Sequence, residues 1–236
     1  MPTYPLTWDN ATERFYETGV KQGVLYPYDT DTKKYTPGVA WNGLTAVTES
    51  PSGAEETALY ADDMKYLSLR SKEEFGGTVE AYTYPDEWML CDGSAEPVTG
   101  VVIGQQKRKT FGLCYRTAIG NDTDGDKHGY KLHLIYGATA SPSERAYATI
   151  NDSPEAITFS WEISTIPVKF DATGSYKDYE PVACLTVDSR KASAAGLAAL
   201  EAKLYGSGST APELPLPDEV MSLVGGGASG VTGATS

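Results

Sequence analysis

Between Ala156 and Ile166 the side chains alternate. Ile157, Phe159, Trp161 and Ile163 are apolar, and Thr158, Ser160 and Glu162 between them are polar. A period of two marks a strand with one buried face. Two of the four apolar residues are large aromatics, which need a deep partner layer rather than a covering loop. The same alternation occurs at Leu132, Leu134 and Tyr136 and at Phe111, Leu113 and Tyr115. The expected fold is therefore mainly β: two antiparallel sheets face to face, or one sheet closed into a barrel.

The rest of the chain fits that frame. Gly23–Tyr28 reads as a short edge strand because it contains Pro27. Val39–Trp41 and Leu44–Glu49 read as extended segments separated by the turn dipeptide Asn42-Gly43. Ala54–Met64 mixes helix and strand formers and reads as a loop, followed by a strand through Tyr66–Leu69. Thr78–Tyr84 is a strand stopped by Pro85, and Asp86–Leu90 can form one helical turn. Val98–Ile103, Lys109–Ala118, His128–Ala138 and Pro181–Val187 complete the strands. One flanking helix is expected over 189–205, capped by Asp188 or Ser189 and by Gly206, with Leu197, Leu200 and Leu204 on its docking face. Residues 1–20 read as an extended N-terminal arm, 21–206 as the β domain, and 207–236 as an extended C-terminal arm with a glycine-rich tail. Within that second arm Leu214–Val220 is expected to be extended because of its prolines.

A chain of 236 residues can bury roughly 70% of its unfolded surface, enough for a core without staples. Cys91, Cys114 and Cys184 are odd in number and far apart, which suits buried free thiols in a reducing compartment. Met1–Asn10 lacks a secretory pattern, so the expectation is an unexported chain. With 32 acidic against 19 basic side chains the net charge is −13, which disfavours non-specific attraction to nucleic acid or anionic membranes.

No reactive set emerges from the residues. Gly225–Gly230 matches a dinucleotide fingerprint, but only six residues follow it, too few for the required helix. Asn121–Asp126 resembles a calcium loop, yet alignment on Gly125 puts Gly120 and Lys131 at the first and twelfth ligand positions. A polar hairpin turn fits better. His128 and His133, five apart, fall on opposite faces of a regular strand. Glu73, Glu74, Asp86, Glu87 and Glu162 are candidates for a paired-carboxylate hydrolase, though in so acidic a chain their presence carries little information. Gln105–Lys109 is a basic cluster read as a solvated turn. The 16 tyrosines, among them Tyr26, Tyr28, Tyr82 and Tyr84, suit interfaces, sugar stacking or the core. The reading is of a non-enzyme with no catalytic, cofactor-binding or metal-binding residues. Its rival is a carbohydrate-binding or adhesive β-sandwich.

Several segments taken in order point further: Gly19-Val, Gly23-Val-Leu-Tyr-Pro, Trp41-Asn-Gly-Leu-Thr-Ala-Val-Thr-Glu-Ser-Pro-Ser-Gly-Ala-Glu, Tyr60-Ala-Asp-Asp-Met-Lys-Tyr and Glu80-Ala-Tyr-Thr-Tyr-Pro-Asp-Glu. With Gly120-Asn-Asp-Thr-Asp-Gly-Asp-Lys-His-Gly-Tyr-Lys-Leu-His-Leu-Ile-Tyr-Gly and Leu214-Pro-Leu-Pro-Asp-Glu-Val, they resemble the major tail protein, the tail-tube subunit, of bacteriophages with long non-contractile tails. The resemblance spans residues 19 to about 222. It implies subunits that form hexameric rings, stacked into a tube that carries DNA in transit without binding it specifically. It also implies partners: other copies, the tape-measure protein, the tail terminator and the distal tail or baseplate proteins. The implied place is the virion, after synthesis in the host cytoplasm. An acidic ring would repel phosphates, as a conduit requires. Extended ends and proline-containing loops would suit β-augmentation between neighbours.

Overall fold

The computed structural model describes residues 8, 10, 13–123, 125–150, 152 and 156–225. Its strands in chain order begin with β1 (Phe15–Asp29), β2 (Lys34–Tyr35), β3 (Val39–Trp41), β4 (Leu44–Glu49), β5 (Ser52–Gly53), β6 (Glu56–Ala61), β7 (Met64–Arg70), β8 (Glu73–Glu74) and β9 (Gly76–Ala81). A 3-10 turn (Asp86–Trp88) and the short α1 (Met89–Asp92) follow. Then come β10 (Ala95–Val98), β11 (Val101–Ile103), β12 (Phe111–Asn121), β13 (Gly125–Ala140), β14 (Phe159–Thr165), β15 (Cys184–Asp188), α2 (Ala194–Tyr205) and α3 (Pro217–Val224).

The main sheet is antiparallel in the order β1, β12, β13, β14, β9, β4. It closes on itself because β3 pairs with β1 while β4 pairs with β9, and only Asn42 and Gly43 separate β3 from β4. The chain turns that corner with Gly43 at φ 78°. The result is a barrel-like wall joined through the β3–β4 corner, in which β4 pairs only with β9 and β15 only with β13.

Two cores lie on the two sides of this wall. Inside are Leu25, Trp41, Val79, Trp88, Phe111, Leu113, Tyr115, Ile135, Trp161 and Ile163. Trp88 enters from the 3-10 turn and meets Trp41, Phe111 and Trp161 at ring-centroid distances of 4.6, 4.9 and 5.2 Å. Outside, Val24, Tyr26, Cys114, Leu132, Leu134 and Tyr136 are covered by Leu197, Leu200 and Leu204 of α2 and Val220 of α3. Each fully buried leucine of this kind contributes roughly 1.5–3 kcal/mol of gross transfer energy. Because both faces are covered, Phe111–Tyr115 is buried without interruption. Tyr26 donates its hydroxyl hydrogen to the Leu204 carbonyl at 2.6 Å, and Tyr136 does so to the Pro215 carbonyl at 2.9 Å.

β13 bends at Gly137. It pairs with β15 over Lys131–Ile135 and with β14 over Ala138–Ala140, so its lateral neighbour changes at the bend. Gly137 has φ 61°, and a Cβ there would sit 2.1 Å from the Ile166 carbonyl oxygen. Only glycine fits.

Several expectations are corrected. β1 is a 15-residue strand paired inside the sheet, so Phe15–Val20 belongs to the barrel rather than to a free arm. Its period is hidden by irregularities between Thr18 and Val24, where Gly19 and Gln22 take positive φ. Residues 1–7, 9, 11 and 12 lie outside the described residues. The expected loop over Ala54–Met64 contains β6. Val98–Ile103 is not one strand but the tip of a hairpin turning at Thr99-Gly100. Ile157 lies before the start of β14 and is exposed. α2 begins five residues later than expected, because Ser193 caps it by accepting from the Gly196 N–H at 3.1 Å. The segment Leu214–Val220 does not stay extended: Pro217 opens α3, where the missing N–H costs nothing, and Asp218 and Glu219 occupy its favourable first turn. Lys203 pairs with Glu219, and the Leu214 N–H donates to the Tyr35 carbonyl at 3.1 Å, so residues 207–224 fold back onto the barrel. The glycine-rich tail from 226 onward lies outside the described residues.

Candidate assembly surface

From Leu44 to Ala81 the chain forms one long hairpin. β4 pairs with β9, β5 with β8 and β6 with β7. The inner third is barrel wall; the outer part leaves the body. Asp62 and Asp63 form its tip, both at positive φ, as a two-residue hairpin turn with right-handed twist requires. At a strand rise of about 3.3 Å per residue, the stretch from Ser50 to the tip reaches on the order of 35–40 Å. β6 and β7 contact each other and little else.

This arm is amphiphilic and uncovered. Leu59 opposes Leu67 and Thr57 opposes Leu69, so these four share a face. Tyr66 is 73% exposed and Leu69 56%. Lys65 and Ser68 both donate to Glu56 and hold its carboxyl below the usual range. A two-stranded ribbon is at best marginally stable in water, and contiguous exposed apolar surface marks an interaction site. A second, shorter arm is built by β10 and β11. Val98 opposes Val101, and Ile103 opposes Ala95; Val98, Val101 and Ile103 are all exposed. Sequence reasoning missed the first arm, although Asp62-Asp63 between two β-forming runs was a usable signal.

The root of the long arm is tied down by a polar cluster. Glu49 ends β4 and accepts from the Tyr115 hydroxyl at 2.5 Å. His133 stacks flat on Tyr115, with centroids 4.6 Å apart and planes 1° apart. Its Nδ1 lies 3.4 Å from the same Glu49 oxygen and its Nε2 3.1 Å from Thr117 Oγ1. Burial, and then Glu49, push the Tyr115 phenol far above its ordinary value. Burial lowers the His133 pKa, and Glu49 only partly offsets it. A folded value below the unfolded one means that the unfolded chain binds a proton the folded chain refuses. Stability is therefore lost as the pH falls through about 6.5 and levels off below the folded value. Urea midpoints at pH 7.5 and about 5.5 should differ more for the native chain than for H133Q; equal differences would remove His133 from the account.

The other candidate residues do not converge. His128 stacks on Phe15 at 5.0 Å and lies 3.1 Å from Asn121 Nδ2, in different surroundings from His133. Glu74 and Glu162 border one recess of about 290 Å³, whereas Glu73 lines a different one and Asp86 and Glu87 are exposed on the 3-10 turn. Among the described residues no three His, Cys, Asp or Glu side chains are placed to hold a metal ion. Asn121–Asp126 forms the β12–β13 turn, with Asn121 Oδ1 accepting from the Thr123 N–H at 3.1 Å and Asp124 outside the described residues. Cys91, Cys114 and Cys184 are free thiols, each pushed up to about 12 chiefly by burial. Of the four tyrosines singled out, Tyr26 is buried, Tyr28 packs on Tyr35 and Tyr84 on Trp161, leaving Tyr82 exposed. They form no stacking platform.

Compared with known proteins, the chain matches no family model and no curated protein. No helix among the described residues is long and apolar enough to cross a membrane. What remains distinctive is a closed, aromatic-filled body carrying two ribbons with uncovered apolar faces.

Proposed function

We propose that this chain is a structural subunit that polymerises through its β-arms into stacked rings, forming the tail tube of a long-tailed bacteriophage. The observation that carries the reading is the β6–β7 arm, exposed at every residue but the half-buried Ala58 and carrying Leu59, Leu67 and Leu69 on one face. In an isolated subunit that surface has no role; against another copy it becomes interface core. The body suits the same task. Its interior is filled by Trp41, Trp88 and Trp161, a rigid aromatic core on which protruding arms can be mounted. The net charge of −13 per copy lets a passage through a ring repel phosphate rather than hold it. The segment-by-segment resemblance to major tail proteins over residues 19 to about 222 supports a tail tube as the assembly.

Negative-stain imaging of the purified chain over a range of concentrations tests this. Rings or tubes of regular diameter are the expected result. A chain that stays monomeric at every concentration and binds glycans would overturn the reading in favour of an adhesive module.

A further inference from the structure

The two arms differ in charge as well as length. Residues 54–74, the long arm, hold Glu55, Glu56, Asp62, Asp63, Glu73 and Glu74 against Lys65, Arg70 and Lys72. Residues 93–109, the short arm and its exit, reverse the balance, with Lys107, Arg108 and Lys109 against Glu96. Lys107 is exposed and Arg108 half-buried beside Gly93. In a chain of net charge −13, copies repel at long range, so a contact between them is favoured where a cationic patch meets an acidic one. The exit of the short arm, Lys107–Lys109, is such a patch, and the apolar face of the arm itself is uncovered like that of the long arm.

The geometry points to a head-to-tail contact in which the β6–β7 arm of one copy lies on the β10–β11 arm of the next. Leu59, Leu67 and Leu69 cover Val98, Val101 and Ile103, and the Asp62-Asp63 tip meets Lys107 and Arg108. The occupant of each arm is a second copy of this chain, and the inference rests on the self-assembly proposed above. Two different patches meet, so the contact is heterologous and repeats around a ring instead of closing as a two-fold pair. Within one chain the two arms make no substantial contact, and their apolar residues stay exposed. The pairing satisfies both ribbons at once: each gains the third and fourth strands' worth of cover that a lone hairpin lacks.

Charge reversal tests it. D62K/D63K and K107E/R108E should each raise the concentration needed for assembly by about tenfold or more. An equimolar mixture of the two variants should assemble like the native chain, because every tip then finds an opposite patch on its neighbour. So should one chain carrying all four changes. K107E alone, at an exposed position, repeats the test if R108E disturbs the fold, which the thermal midpoint reports. Native-like assembly of each variant on its own overturns this contact and leaves self-assembly standing. Loss of assembly that neither the mixture nor the combined variant restores also overturns it. A native chain that never assembles removes both.

Discussion

Trp161→Ala should lower stability by about 3–5 kcal/mol, a large share of the 5–15 kcal/mol that a domain has in total. The indole is 2% exposed and touches Trp41, Tyr84, Trp88 and Phe159 at centroid distances of 5.7, 5.6, 5.2 and 5.7 Å. Removing it leaves a void that these rigid rings cannot fill without giving up their own packing. Tyr82→Ala, at a 56% exposed position, should change stability by no more than about 0.5 kcal/mol. Urea unfolding followed by intrinsic fluorescence and circular dichroism measures both. Similar midpoints for the two variants would mean that the barrel interior is not the stabilising core described here.

Excising Glu56–Arg70 and bridging Glu55 to Ser71 with Asn-Gly should abolish assembly and leave the body folded. The junction is already made, since the Ser71 N–H donates to the Glu55 carbonyl at 3.0 Å. No buried core residue is removed, so the thermal midpoint should stay within a few degrees of the native value. Size-exclusion chromatography with light scattering should then read a monomer at concentrations where the proposed self-assembly has the native chain polymerise. Tubes formed by the shortened chain would move the assembly surface elsewhere, and unfolding would show that the arm supports the barrel.

Much of the wall was legible. The period of two around Trp161, the turn at Asn42-Gly43 and the leucine face of α2 all follow from local chemistry, and the structure contains them. The arms were harder to read. Leu59 and Tyr60 are adjacent and break a period of two, and with Leu67 and Leu69 they are exposed, so no buried face selects strand over loop. α3 was hidden for a different reason: Pro215 and Pro217 look like helix stops, and only the position of Pro217 at the first turn turns one of them into a start. β1 was misread because its irregularities break the period that identifies a strand. The closing of the barrel rests on β3 and β4 choosing different neighbours, a fact of pairing to which periodicity is blind. The Glu49, Tyr115 and His133 cluster likewise brings the end of β4 onto a cross-strand pair of the β12–β13 hairpin, 66 residues beyond Glu49, so spacing could not assemble it.

The long arm leaves the wall on β4 and returns on β9, adjacent strands bonded to each other from Leu44–Ala81 to Glu49–Gly77. A neighbour pulling on the tip therefore loads both strands in the same direction. Tension runs into the wall as shear along the β9–β14 ladder and around the corner into β3 and β1, where many hydrogen bonds bear it together instead of unzipping singly. Flexing of an assembled filament would be resisted by the backbone of the wall itself, with the strain spread over the circumference of the body.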